Sequence, residues 1–245
     1  MILRIVRPFP VHIIGVVILL NLFIFLPSSC FSQAERTIDL KEVHQKTVRK
    51  YITARKIDRM PDFSLIHASW KKGTDESSFN VREKIFFLKY RLSNVWDCYR
   101  HVNTAKTWNK QSIRLGLLIS KHSNTAIYTS NSAFPDLDTG QVYFLKLKLI
   151  KGLLNIPVAF EITNIDFDRQ LFEFSYIDDN KSRGKQSIQF FENGEGHTRI
   201  VHRSYFKSQS QFRDNLLYPY FHKKFIKEFH RNMKQLVRNN NRTIV

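Results

Sequence analysis

Cysteine is nearly missing from this sequence, with only Cys30 and Cys98 among 245 residues. A disulfide framework is therefore excluded, and the fold must rest on a packed core, which 42% hydrophobic content permits at this length. Acidic residues are also scarce, 21 against 39 lysines and arginines, for a net charge of +18. That surplus favours anionic partners such as nucleic acid, acidic lipid or phosphorylated ligands, and says nothing of fold. No HExxH, no cysteine pair and no tight His/Asp cluster supplies metal-ligand spacing, so no metal is expected. No GxSxG or Cys/His signature marks a nucleophile. Gly194-Glu195-Gly196 lacks the strand–helix setting of a dinucleotide fingerprint and reads as a hairpin turn. No cofactor is expected.

Long apolar runs are scarce too. The stretch 13–26, IIGVVILLNLFIFL, falls short of the ~20 residues that span a bilayer. Arg4 and Arg7 precede it and PSSCFSQA follows, so residues 1–34 read as a secretory signal peptide. A retained anchor is one alternative. Another is lipidation of Cys30 within Leu26-Pro27-Ser28-Ser29-Cys30, although Pro27 stands where that pattern has leucine. The expected location is thus the periplasm or cell envelope, with the leader cleaved. Cleavage leaves a chain that is still strongly basic, and export argues against nucleic acid as a partner.

What is present is led by residues 218–237, YPYFHKKFIKEFHRNMKQLV. At about 100° per residue, Tyr218, Phe221, Phe225, Phe229, Met233 and Leu236 form one stripe of a helix. Lys223, Lys224, Lys227, Arg231, Lys234 and Arg238 fall opposite, and Pro219 suits the first turn. Upstream, 38–54 has helical spacing with Asp39 as a fair N-cap, and 55–78 reads as a linker or loose arm. The main domain is expected to begin near Phe79. A first strand at 79–90 leads to short helices around NVWDCYRHV and Trp108. Strand signals then follow at 112–120, 125–130, 141–150, 156–166, 170–177, 184–192 and 198–206, separated by short turns. Such connections predict an antiparallel meander. Alternation puts Ile200, His202, Ser204 and Phe206 on one face of the last strand, and Phe172, Phe174 and Tyr176 on one face of another. The expected fold is α+β, a curved antiparallel sheet wrapped around one long C-terminal helix.

Three stretches carry a family resemblance: NVWDCYRHVNTAKTWN with Trp96 and Trp108, GKQSIQFF at 184–191, and HTRIVH at 197–202. With the element order, they resemble the SRPBCC superfamily of helix-grip proteins, which includes START domains, polyketide cyclases and pollen-allergen-like carriers. The resemblance covers about 79–237, leaving a signal peptide (1–34), an N-terminal helical arm (35–78) and a basic tail (238–245) outside it. It implies an apolar cavity between sheet and helix, and by itself no chemistry.

The expected function is therefore non-enzymatic binding of a hydrophobic or lipid-like small molecule. Tyr176, His202, Ser204, Tyr218, Phe221, His222, Phe225 and Phe229 are the cavity candidates. His222 and His202 read either as polar groups aimed at a ligand or as satisfied core histidines. Phe221 and Phe225 are expected to line the cavity, with Met233 and Leu236 in ordinary core. Lys223, Lys224, Lys227, Arg231 and Lys234 read either as a solvated face or as a foothold on an anionic membrane. The rival readings are a cyclase- or hydratase-type enzyme using the cavity histidines, and a structural envelope protein with an exposed apolar patch for a protein partner.

Overall fold

A computed structural model describes residues 37–131, 133–178, 182–194, 196–212, 214–215 and 218–243. The leader expected over 1–34, and Cys30 with it, lies outside the described residues. Strands β1 (Asn80–Leu88), β2 (Ile113–Ser120), β3 (Thr125–Tyr128), β4 (Gln141–Leu149), β5 (Leu154–Asp166), β6 (Leu171–Tyr176), β7 (Ser182–Glu192) and β8 (Thr198–Ser208) form one antiparallel sheet. Its order is β1-β8-β7-β6-β5-β4-β2-β3. The predicted meander holds from β4 to β8 but not before it. β4 pairs with β2 rather than β3, and the first strand lies beside the last. Register shifts at Leu115/Leu117 and Ile162/Asn164 mark bulges, which bend the strands that carry them.

Alternation along each strand supplies the inner face. Leu115, Tyr143, Leu145, Phe160, Ile162, Phe172, Phe174, Ile188, Phe190 and Ile200 pack with Phe229, Met233 and Val237 of the last helix. Helices α1 (Lys46–Ala54), α2 (Leu92–His101), α3 (Thr104–Thr107) and α4 (Tyr218–Thr243) complete the main elements. Both α2 and α3 pack against α4. The result is a helix-grip architecture, a large antiparallel sheet with a long C-terminal helix. The expected basic tail is not a separate tail, since helix continues to Thr243. Its end is tied down where Asn94 Nδ2 donates to Asn241 Oδ1 at 2.7 Å. Asn232 pins α3 to α4, its buried amide donating to Lys106 O and Thr107 O at 2.7 and 2.6 Å. These carbonyls sit at the C-terminal end of α3, where the helix itself offers no donor.

The outer face carries a second core that the single-covered sheet expected from the sequence did not include. Leu117, Ile119, Val142, Phe144 and Ala159 pack there against Val43, Val48, Tyr51, Ile52, Ile57, Phe63 and Ile66. The segment 55–78 is thus folded down rather than a loose linker. Lys121 Nζ donates to Ile66 O and to Glu161 Oε1, both at 2.8 Å, and the Phe63 N–H donates to Asn124 Oδ1 at 2.8 Å. The arm's helix is shorter than expected, beginning at Lys46 with Gln45 at the cap position. Asp39 instead accepts the Lys41 N–H, two residues on, in a local turn. Close approach of α1 to β2 depends on Gly116, where a Cβ would stand 2.7 Å from Val48 Cγ2.

Candidate functional site

Eight side chains from two helices and three strands meet between α4 and the sheet in a continuous hydrogen-bonded chain. It begins at Tyr99 on α2, whose Oη lies 2.9 Å from His230 Nδ1. His230 Nε2 meets His202 Nδ1 at 2.9 Å, and His202 Nε2 meets Gln186 Oε1 at 2.9 Å. The same Gln186 oxygen is 2.9 Å from His222 Nε2 and accepts from Ser204 Oγ at 3.3 Å. From the other end of that amide, Nε2 donates to Tyr176 Oη at 3.1 Å, and Tyr176 Oη lies 2.6 Å from Tyr218 Oη. Ring stacking encloses the chain. Phe86 covers His230 at 4.1 Å, and Tyr218 lies between Phe206 at 3.7 Å and His222 at 4.7 Å.

Local structure explains the convergence. Cross-strand pairing sets Gln186 opposite Ser204 and Ile188 opposite His202, so period two turns this whole block inward. On α4, Tyr218 and His222 are one turn apart. His230 follows His222 by eight residues, about 80° around the wheel, still on the sheet-facing arc. Both rings bond inward, to His202 and Gln186, and the reading from sequence had picked out only His222. His230, Tyr99 and Gln186 are the members it did not select. Spacing could have found them: Tyr99 follows Val95 and Trp96 at i+4 and i+3, and Gln186 alternates with Ile188 and Phe190.

Burial holds the chain uncharged. It takes His222 and His230 down to about 3 from an ordinary 6.5. His202 falls well below 6.5, through burial first and then the neighbouring His230 and His222. The same desolvation lifts Tyr176 to about 12 and raises Tyr99 and Tyr218 well above 10. One set of tautomers then satisfies the chain without a charge. Tyr99 O–H donates to His230 Nδ1, His230 Nε2–H to His202 Nδ1, and His202 Nε2–H to Gln186 Oε1. Among the described residues no group of His, Cys, Asp or Glu has the arrangement of a metal site.

A small void lies beside this chain, about 40 Å³, walled mainly by Trp108, Tyr143, Phe160, Phe174, Phe229 and Met233. That is room for on the order of two or three waters, well short of a pocket of ~300 Å³ or more that holds a drug-sized ligand. Trp108 stacks on Phe229 at 4.5 Å. The void reaches Tyr99, the first member of the polar chain. Tyr176, His202, Ser204, Tyr218 and His222 thus gather in the chain, while Phe229 lines the void. Phe225 packs on the inner core without lining the void, and Phe221 stands edge-on to Tyr220. The expectation that Phe221 and Phe225 line the cavity while Met233 does not is reversed. The first turns of α4 sit over the polar end of the sheet, and the void lies under its middle, beside α3. The cations Lys223, Lys224, Lys227, Arg231 and Lys234 are all exposed.

No protein-family model matches this chain, and no curated protein matches it. Among solved structures, a point mutant of norcoclaurine synthase from Thalictrum flavum is similar at 12% identity and a TM-score of 0.49, covering 66% of this chain and 96% of that one. A protein of Thermus thermophilus is similar at 11% identity and 0.48, covering 66% and 99%. Ara h 8.0201 follows at 13% and 0.45, again covering 66% and 99%. The helix-grip architecture is read from this chain's own strand order and last helix.

Proposed function

We propose that this protein binds a hydrophobic or amphiphilic small molecule between the sheet and α4, without turning it over. The observation that carries the reading is the aromatic-walled void that abuts a buried polar chain, an apolar enclosure with hydrogen-bonding groups at one side. The void holds about 40 Å³, so a lipid-sized guest requires α4 to move outward. Phe229 and Met233 would be displaced first, because they form the α4 side of its wall.

Against an acid–base enzyme, His202 and His222 meet on Gln186 Oε1, where a substrate atom would have to be. A histidine held down to about 3 is also a weak base near neutral pH. We further propose export, on the strength of the leader-like residues 1–34. An intact Met1 terminus in the membrane fraction would contradict cleavage.

Native mass spectrometry and solvent extraction of the purified protein test binding. A stoichiometric apolar molecule should accompany it, and Met233→Trp, which fills the void, should reduce that occupancy while the protein stays folded. A folded protein with no bound molecule that takes up none of a panel of fatty acids, phospholipids and polyprenyl lipids would refute the reading.

A further inference from the structure

The turn between β4 and β5 displays aliphatic side chains to solvent. Leu153 is 87% exposed, Ile150 57% and Leu154 48%. Ile150 opens a short 3-10 turn, Ile150–Gly152, and has a φ of +46°. A β-branched residue is disfavoured in that left-handed region, where glycine or asparagine is relaxed. Here the strained residue is itself more than half exposed, so no burial compensates for the backbone.

Directly behind this tip, the outer face of the sheet carries only positive charge. Lys146 and Lys148 alternate on β4, and Arg114 of β2 stands opposite Lys146 in the register. Burial, with Lys148 and Arg114 nearby, lowers the pKa of Lys146. Among the described residues no ion pair involves any of these three cations. Hydrogen bonds tie this edge of the sheet to α4. The Lys148 N–H donates to Ser112 O at 2.8 Å, and the Ser112 N–H donates to Glu228 Oε1 at 2.7 Å. Lys110 Nζ donates to Gln235 Oε1 at 3.2 Å. Glu228 is the acid in this region, and exposed Lys224 and Arg231 lie one turn to either side of it.

An apolar projection with a cationic collar matches one kind of surface, a bilayer rich in anionic lipid. A protein groove would have to accept three aliphatic residues on a narrow turn while supplying acids on every side of it. We propose that the β4–β5 turn docks on such a bilayer. Ile150, Leu153 and Leu154 enter the boundary between headgroups and acyl chains, and Arg114, Lys146 and Lys148 rest on the headgroup phosphates. This inference stands independently of what the interior binds.

The test is co-sedimentation of the protein, with the N-terminus it carries in cells, with vesicles of phosphatidylcholine alone or mixed with phosphatidylglycerol. Binding should require phosphatidylglycerol and weaken as salt rises. Leu153→Asp with Leu154→Asp should reduce partitioning at least tenfold. Arg114→Gln, Lys146→Gln and Lys148→Gln together should reduce it about a hundredfold, roughly fivefold for each charge. All five positions are exposed or half-buried, so circular dichroism and melting should confirm folded variants. Binding that survives both sets of substitutions would overturn the proposal, as would failure to bind either vesicle. Loss with the charge variant but not with the aspartates would leave surface attraction alone and overturn insertion.

Discussion

Acid should unfold this protein through the buried histidines, over a window that the structure defines. Burial holds His230 down to about 3, and His202 well below its ordinary 6.5. Both folded values lie below the unfolded one. The unfolded chain therefore binds protons that the folded chain refuses, and stability must fall as pH falls. The stabilisation is complete above about pH 6.5 and is lost progressively toward pH 3. At about pH 5, His230 alone costs about 2 kcal/mol relative to neutral pH. His202 adds to that loss in the same direction, against the ~5–15 kcal/mol that holds a typical domain together. Their hydrogen-bond partners are Tyr99, Gln186 and each other, so no carboxylate in the chain compensates for a proton. Urea titrations between about pH 7.5 and 5 measure the slope of stability against pH. His230→Phe should be less stable at every pH, since it leaves the Tyr99 hydroxyl and His202 Nδ1 without a partner. Its slope, however, should fall by about one proton, or ~1.4 kcal/mol per pH unit. Equal slopes in the two proteins would mean that His230 is solvated or already charged when folded, and the neutral chain would be wrong.

Other perturbations separate the packing roles. Asn232→Leu should cost roughly 2–3 kcal/mol in denaturant titrations, because the carbonyls of Lys106 and Thr107 lose a buried donor. Gly116→Ala should cost on the order of 1–3 kcal/mol and raise proteolysis of residues 55–78, since its Cβ would meet Val48 Cγ2 at 2.7 Å. Phe229→Ala should cost about 3–5 kcal/mol, and Phe221→Ala much less, because only Phe229 is buried in the inner core. Equal losses at the two positions would contradict the packing described for α4.

The architecture was largely legible because two periodicities carry it. Alternation located the eight strands to within a few residues, and the 3.6-residue stripe located α4. The β2–β4 pairing was not legible, since a short turn after β2 is compatible with a hairpin whichever strand takes the other edge. Nor was the outer core. Ile57, Phe63 and Ile66 lie in 3-10 turns and extended chain, which leave no periodic signature. At the site, His202, Ser204, His222, Tyr176 and Tyr218 were selected from their faces. What the sequence could not supply was their order. Gln186 as the shared acceptor, and His230 as the link to Tyr99, depend on how α2, α4 and the sheet cross in space.

The pairing of β1 with β8 bears on how the chain assembles. These strands come from far apart along the chain, and every residue of β1 from Asn80 to Leu88 aligns with one from β8. Hairpins from β4 to β8 close short loops and can form early, whereas β1 must wait until β8 is available. The last helix comes later still, and both histidines it contributes need the β7–β8 pair already in register. A ribosome-bound chain therefore exposes the inner face of the sheet until α4 has emerged. Closure of the inner core is coupled to the arrival of α4.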